Sequence, residues 1–524
     1  MLRYTALLVA VFVTSRASNI LVWSPTIGHS HVAVLGNVAD VLTGDGHNVT
    51  IFSPLLDPHI TTFGNRLPAH TIRFNATTVT ADDWLNLEMK NPSLWDSPPC
   101  DSVCFKWEDF DSLTEQMLKS CKGLLDDNQM LSSLRDSKFE VVYTELFDSC
   151  ASGIAELLGI QNIVVVSAFG MMPRHYDIAG ISTMPSFMPV MLTSYSDEMT
   201  FVQRLLNFKT EVQLNLKMRY WEREFEKLFG TKRANFPSIL QIYEDKVSLI
   251  MTNVNEFTET PRPTANMIRY IGGATLHEPK KLTKDLHEIL DERNATVLFS
   301  MGSIAQSKDM PMWLKKDLMD TFSEFPHVTF IWKYEEDDHY LFEAHANVYP
   351  MKWIPQTDLL ADRRLSLFIT HGGINSILEA IFHGKPMIVV PLFGDQPLNS
   401  KNVHKRGLGT VIEKHRLNKM TLTEAIRKTL GNREILRQSS FVASMLKDRP
   451  QQYRNDIAKW ARLIIEHGKM DHFTLHSKSL NVFQYYSLDV VGFLLSIAAM
   501  PLFAMQWIVK RILKNFSVVK IKAN

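Results

Sequence analysis

The sequence predicts an α/β protein of two lobes facing a cleft, with one C-terminal transmembrane helix. Three observations predict it. The chain has 524 residues, too many for one ordinary core and enough for two domains of roughly 200 residues each. Short apolar runs alternate with amphipathic stretches in both halves, the pattern of parallel strands joined by crossover helices. The run Val490 to Val509 carries no charge and, at about 1.5 Å per helical residue, reaches roughly 30 Å, one hydrocarbon core.

At the N-terminus Arg3 precedes an apolar run from Tyr4 to Val13, and Thr14-Ser15-Arg16-Ala17 supplies small residues for cleavage, so residues 1–17 read as a signal peptide. The first lobe, 18–275, opens with a strand Ile20 to Trp23. Past Pro25 and Gly28 a helix follows, with Leu35, Val38 and Leu42 on one face; Gly44 and Gly46 stop it, and Val49 to Phe52 resumes a strand. A second strand-helix-strand unit runs through Val141 to Thr144, Cys150 to Leu158 and Ile163 to Val166. Residues 171–240 differ, with methionines (Met171, Met172, Met184, Met188, Met191) interleaved with prolines and phenylalanines. Such a stretch suits a soft apolar pocket wall; ordinary packing of a helical insertion and contact with a membrane surface are the alternatives.

Gly272-Gly273 and a polar stretch lead to the second lobe, 276–450. There the expected strands are Thr296 to Phe299, Val328 to Trp332, Leu367 to Thr370 and Met387 to Val390, with helices Trp313 to Phe325 and Ile374 to His383 between them. Residues 451–489 are expected to form connecting helices that return toward the first lobe and the membrane. After the span 490–509, the tail 510–524 carries Lys510, Arg511, Lys514, Lys520 and Lys522 without an acidic residue, which places it in the cytosol and the lobes in a lumen. Lysines third and fifth from the end resemble a dilysine retrieval signal of the endoplasmic reticulum. Asn75-Ala76-Thr77 and Asn294-Ala295-Thr296 are then glycosylation candidates, and Asn48-Val49-Thr50 a poorer one.

A formal net charge of zero gives no reason to expect nucleic acid. Four cysteines, Cys100, Cys104, Cys121 and Cys150, exclude a disulfide scaffold, permit one or two bridges of open connectivity, and lack the spacing of a zinc site. His29 and His31 could pair on a metal, but no further ligand cluster accompanies them, so no metal is expected.

The densest chemical signal is Phe368-Ile369-Thr370-His371-Gly372-Gly373-Ile374-Asn375-Ser376, continuing to Glu379 and on to Asp395-Gln396. A strand stops at two glycines, and a helix starts whose apolar stripe is Ile374, Ile377, Leu378, Ile381 and Phe382. Glycines admit a ligand close to the backbone, and a helix N-terminus offers free N–H groups and a positive dipole end, so an anion belongs there. The carboxyl end of a parallel strand is where such sheets bind ligands, which suits a diphosphate. Asn375 and Glu379 share the polar face of the helix, and Asp395 with Gln396 offers acceptors and an amide for sugar hydroxyls. His31, just after the first strand, is placed to take a proton from a hydroxyl.

These residues resemble the UDP-glycosyltransferase family, in its animal membrane-bound UDP-glucuronosyl and glucosyltransferase branch. The likeness extends to the Ser30-His31 turn, Ser300-Met301-Gly302-Ser303, Trp353-Ile354-Pro355-Gln356 and the stretch Tyr485 to Leu495. It implies two Rossmann-like lobes of the GT-B type, the first binding the acceptor and the second the UDP-sugar. It implies that Trp353 stacks on uracil with Gln356 beside the nucleoside. Ser303, His371 and the Gly373 turn would hold the diphosphate with Asn375 and Ser376, Glu379 the ribose, and Asp395 and Gln396 the sugar. His31 matches the family's catalytic base. The family's partner aspartate is here Glu145, with Asp148 three residues on as the alternative. The expected partners are a UDP-sugar as co-substrate, a small lipophilic acceptor and membrane lipid through the one helix; a homo- or hetero-oligomer stays open, and no cofactor is expected. A non-catalytic member that binds apolar ligands or partners an active relative is the rival reading.

Overall fold

The computed structural model describes residues 17–80, 94–95, 107–337 and 339–522. The predicted signal peptide falls outside them but for Ala17, as do Cys100 and Cys104 and the side chains of the basic tail from Lys514 onward.

The first lobe is built on a fully parallel sheet of order β3-β2-β1-β4-β5-β6-β7. Its strands are β1 (Asn19–Trp23), β2 (Asn48–Pro54), β3 (His70–Phe74), β4 (Val141–Thr144), β5 (Asn162–Ser167), β6 (Val247–Thr252) and β7 (Ile268–Tyr270). The central strands are apolar on both faces because helices cover both; β4 and β6 are buried at every residue. Helix α1 (His29–Gly44) follows β1 and buries Leu35, Val38 and Leu42 as its periodicity predicts. The disulfide Cys121–Cys150 joins α2 (Trp107–Asp126) to α3 (Ser149–Leu158). The methionine-rich region resolves into a short helix Pro173–Ala179, an irregular stretch and one long helix, α4 (Phe201–Gly230), begun by a capping box between Thr200 and Gln203.

The second lobe repeats the plan with parallel order β10-β9-β8-β11-β12-β13. Its strands are β8 (Ala295–Ser300), β9 (Val328–Lys333), β10 (Val348–Met351), β11 (Leu365–Thr370), β12 (Met387–Val389) and β13 (Gly409–Val411). Helices α5 (Gln356–Ala361), α6 (Ile374–Phe382) and α7 (Gln396–Lys405) stand around the carboxyl ends of these strands. Helix α8 (Arg449–His467) then crosses back and buries Tyr453, Ile457, Ala461 and Ile464 in the core of the first lobe. The last helix, α9 (Leu488–Lys522), contains an apolar stretch Leu488–Leu513 that no other described part of the chain covers, long enough to cross a membrane. Asn75 and Asn294 are exposed; so is Asn48, although it opens β2 and donates to Asn19.

In each sheet the strand order reverses at one place, between β1 and β4 in the first and between β8 and β11 in the second. Connections leave such neighbours in opposite directions, and a crevice opens at their carboxyl ends.

Candidate active site

In the first crevice His31 projects from the opening turn of α1, just past β1. Glu145 follows β4 directly, so adjacent strands bring the two side chains together: His31 Nδ1 lies 2.6 Å from Glu145 Oε2. The other carboxylate oxygen accepts the backbone N–H of Ala168 at 2.9 Å, which fixes Glu145 in place. Phe147 and Phe169 stand edge-on to the imidazole at 5.8 Å each. Burial pushes the His31 pKa down, but the charge and hydrogen bond of Glu145, with Asp395 across the cleft, push it further up, and it ends above its ordinary value. The structure gives the alternative, Asp148, other partners. Asp148 accepts from Trp23 Nε1 at 2.7 Å and caps α3 through Cys150 N at 3.0 Å; it is buried beneath the crevice, and burial raises it to about 6.

In the second crevice the turn after β11 is shaped by its glycines. Gly372 has φ of 86° and Gly302, after β8, has φ of 82°, both left-handed. A Cβ at Gly302 or Gly373 would stand 2.6 Å from the His371 ring, so that ring is held between two bare backbones. No side chain caps α6, and its first intrahelical bond is Ile377 N to Gly373 O, which leaves the N–H groups before it aimed out of the helix. Burial first, and the Lys333 charge second, lower His371 to about 4. His371 is therefore a neutral imidazole here, able to hydrogen-bond but carrying no resident positive charge.

The neighbours of that turn are cross-braced. Glu379 accepts from Gln356 Nε2 and, at 2.8 Å, from Thr357 Oγ1, which ties α6 to the start of α5; burial raises its pKa against those two hydrogen bonds. Gln356 also donates to Ser376 Oγ at 3.2 Å. Asn375 spends its carbonyl on Asn253 Nδ2 of the first lobe at 2.7 Å, leaving its own amide donors. Asp395 accepts from Asn399 Nδ2 at 2.7 Å, and burial raises its pKa. Gln396 gives its carbonyl oxygen to the backbone N–H of Leu392 and Phe393 at 2.9 and 3.1 Å, so only its NH₂ remains for a ligand. Trp353 stands 78% exposed at the rim.

One cavity of about 510 Å³ joins the crevices. His31 lines it from the first lobe; Ser303, Trp353, Gln356, His371, Gly373, Asn375, Ser376, Glu379, Asp395 and Gln396 line it from the second. Glu145 supports His31 from behind. Sequence reasoning missed three contributors. Lys333, at the carboxyl end of β9, donates to Gly302 O and stands 5.7 Å from the Trp353 ring centroid; the strand-end rule that located His371 would have found it. Asn399, one turn after Asp395 on α7, also donates to Gly372 O at 3.0 Å. Asn253 belongs to a strand end the sequence reading did not single out. No group of three or more metal-ligating side chains occurs among the described residues.

Comparison with known proteins agrees with this architecture. A family profile described as UDP-glucoronosyl and UDP-glucosyl transferase matches residues 18–523. The chain is 25% identical to the human UDP-glucuronosyltransferase 2B7, over 94% of this chain and 92% of that protein. It is 26% identical to the mouse UDP-glucuronosyltransferase 2B17, over 93% and 92%. Among solved structures, a UDP-glucosyltransferase from Polygonum tinctorium superimposes with a TM-score of 0.57 at 17% identity, covering 86% of this chain and 99% of that one, and it shares the two-lobed GT-B fold. The profile spans nearly the whole sequence, and the chain therefore belongs to the UDP-glucuronosyl and UDP-glucosyl transferase family and is a UDP-glycosyltransferase.

Proposed function

We propose that this enzyme transfers a glucuronosyl or glucosyl group from a UDP-sugar to a hydroxyl of a small lipophilic acceptor, with inversion at the anomeric carbon and His31 as general base. The observation that carries the reading is the single cavity that sets the His31–Glu145 pair opposite the uncapped start of α6. With Nδ1 committed to Glu145, Nε2 is the nitrogen left to accept the acceptor's hydroxyl proton. The acceptor oxygen then bonds to the anomeric carbon from one side while the bond to the UDP oxygen breaks on the other, and UDP departs with that electron pair. Glu145 stabilises the imidazolium that results.

On the donor side, uracil lies against Trp353, ribose hydroxyls meet Glu379, and the diphosphate meets the α6 N–H groups with Ser303, His371, Asn375 and Ser376. Asp395 and the Gln396 amide bind the sugar. Lys333 adds a cation beside the same turn. The helix terminus and these donors meet the charge that develops on UDP, so the scheme uses no metal. Beside Phe147, an apolar recess walled by Leu146, Met172, Met191, Leu214 and Met218 is nearly closed, at about 30 Å³. Its methionines can yield to a lipophilic guest, which supports an apolar acceptor. The uncovered apolar stretch of α9 and the basic residues from Lys510 onward support a single-pass protein of the endoplasmic reticulum membrane with both lobes in the lumen.

Incubating microsomes that carry the full chain with UDP-glucuronate or UDP-glucose and a panel of phenols and steroids, with UDP release as readout, tests the proposal. Acceptor-dependent release with one of the two donors is expected; donor binding without release across the panel would favour the non-catalytic reading instead.

A further inference from the structure

The chain leaving β6 meets the second lobe through one carboxamide. Asn253 follows β6 directly, and its backbone N–H donates to Ser167 O, at the end of β5, at 2.9 Å. Its side chain is fully buried. The two N–H groups of that side chain have different partners: Nδ2 donates to Ala168 O at 3.0 Å and to Asn375 Oδ1 at 2.7 Å. Ala168 belongs to the first lobe, and its own N–H is the one that holds Glu145. Asn375 stands in the first turn of α6 and lines the cavity. Ile374 and Phe382 of the same helix pack against the apolar core of the first lobe, so α6 is seated there and the amide contact is part of that seat.

An asparagine amide turned end for end exchanges its donors for its acceptor, so what it offers a ligand depends on which way it faces. Here a backbone carbonyl makes the choice. Ala168 O cannot donate, so the atom of Asn253 that faces it must be Nδ2. The other N–H of that nitrogen meets Asn375, which must present its carbonyl oxygen, and the Asn375 NH₂ is the end left for the cavity. Asn253 Oδ1 is buried and has no hydrogen-bond partner among the described residues. An unmet buried acceptor costs stability, but turning the amide over would set Oδ1 against Ala168 O. The fold thus tolerates one orphaned oxygen and keeps both donors of Asn253 in place.

We propose that Asn253 is a positioning residue for the transfer, one that turns the Asn375 amide so that its N–H groups face the donor diphosphate. The inference rests on the reading that Asn375 meets that diphosphate. Asn253 does not line the cavity, so it acts through Asn375. A diphosphate accepts hydrogen bonds and donates none at neutral pH, and an Asn375 carbonyl oxygen turned toward it would repel it.

The test compares UDP with uridine, which lacks the diphosphate. Calorimetric titration of UDP, and displacement of UDP by uridine, are run on the full chain and on Asn253→Ala, Asn253→Asp, Asn375→Ala and the double substitution Asn253→Ala/Asn375→Ala. Thermal unfolding shows which variants are folded, and the isosteric Asn253→Asp carries the test if Asn253→Ala is not. Asn253→Ala is expected to weaken UDP about 10-fold, the worth of one hydrogen bond to a charged group, and to leave uridine affinity unchanged. Asn253→Asp keeps the shape without the N–H groups and draws the Asn375 NH₂ away from the ligand, so UDP should weaken further, by about 100-fold in all. In the Asn375→Ala background, removing Asn253 should cost UDP nothing more. A further loss there would show that the two residues act independently, and would overturn the proposal. Equal losses of UDP and uridine would mark a general loosening between the lobes and overturn it too. UDP affinity that falls in Asn375→Ala but holds in both Asn253 variants would overturn the proposal and leave the role of Asn375 standing; affinity that holds in Asn375→Ala would remove that role and the proposal with it.

Discussion

The two crevices share a topology and differ in what their turns are made of. In the first, the residues after β1 and β4 carry side chains, and the crevice holds an imidazole and a carboxylate 2.6 Å apart beneath two phenylalanine rings. In the second, glycines at 302, 372 and 373 strip the turns after β8 and β11, and the backbone becomes the lining. Side chains at a switch point supply titratable groups; bare backbone there supplies N–H donors for an anion. Asp395, from the second lobe, acts on the pKa of His31 in the first, so the two chemistries face one another across one cavity.

The sharpest way to break that division of labour is His31→Ala. It is expected to lower turnover by about 10²–10⁴-fold, the usual worth of a general base, with UDP affinity unchanged; steady-state UDP release beside equilibrium UDP binding checks it. Glu145→Gln keeps the shape and removes the charge. Because Glu145 raises His31, and the base must be unprotonated to act, the limb over which the rate rises with pH should move to lower pH, and turnover should fall by on the order of 10²-fold through lost stabilisation of the imidazolium. Glu145→Asp should recover part of that loss. On the donor side, Trp353→Ala is expected to cost about 1–3 kcal/mol of UDP binding, the range for base-on-aromatic stacking, with little change in the pH profile. The smallest effect on rate belongs to Asp148→Ala. Loss of a helix cap and of the Trp23 partner should destabilise the fold by about 2 kcal/mol, read in denaturant unfolding, while the pH limb stays in place.

Much of the fold was legible because parallel sheets demand continuous apolar strands. The runs at Ile20, Val141, Ile163, Thr296, Val328, Leu367 and Met387 all became central or near-central strands. The strands that escaped were mainly those the pattern marks weakly: β3, β10 and β13 are short or half-covered edge positions. The signature turn was legible because glycine pairs and a helix start are local features. Partnerships across the chain were not. Whether Glu145 or Asp148 meets His31 depends on which side of β4's end each one leaves, and Asp148 was drawn away by an indole N–H 125 positions distant in sequence. The Cys121–Cys150 pairing depends likewise on how α2 packs against α3. Residues 171–240 showed their softness in composition, but which residues of α4 face the core appeared only with the helix in place.

The central claim is that the glycine-lined crevice holds the nucleotide while the imidazole of the other lobe does the proton chemistry. A calorimetric titration of UDP into the folded full chain and its His31→Ala variant tests it most directly. The account predicts saturable binding of equal affinity in both. Absence of heat in either folded protein, or a large loss of affinity in His31→Ala alone, would contradict it.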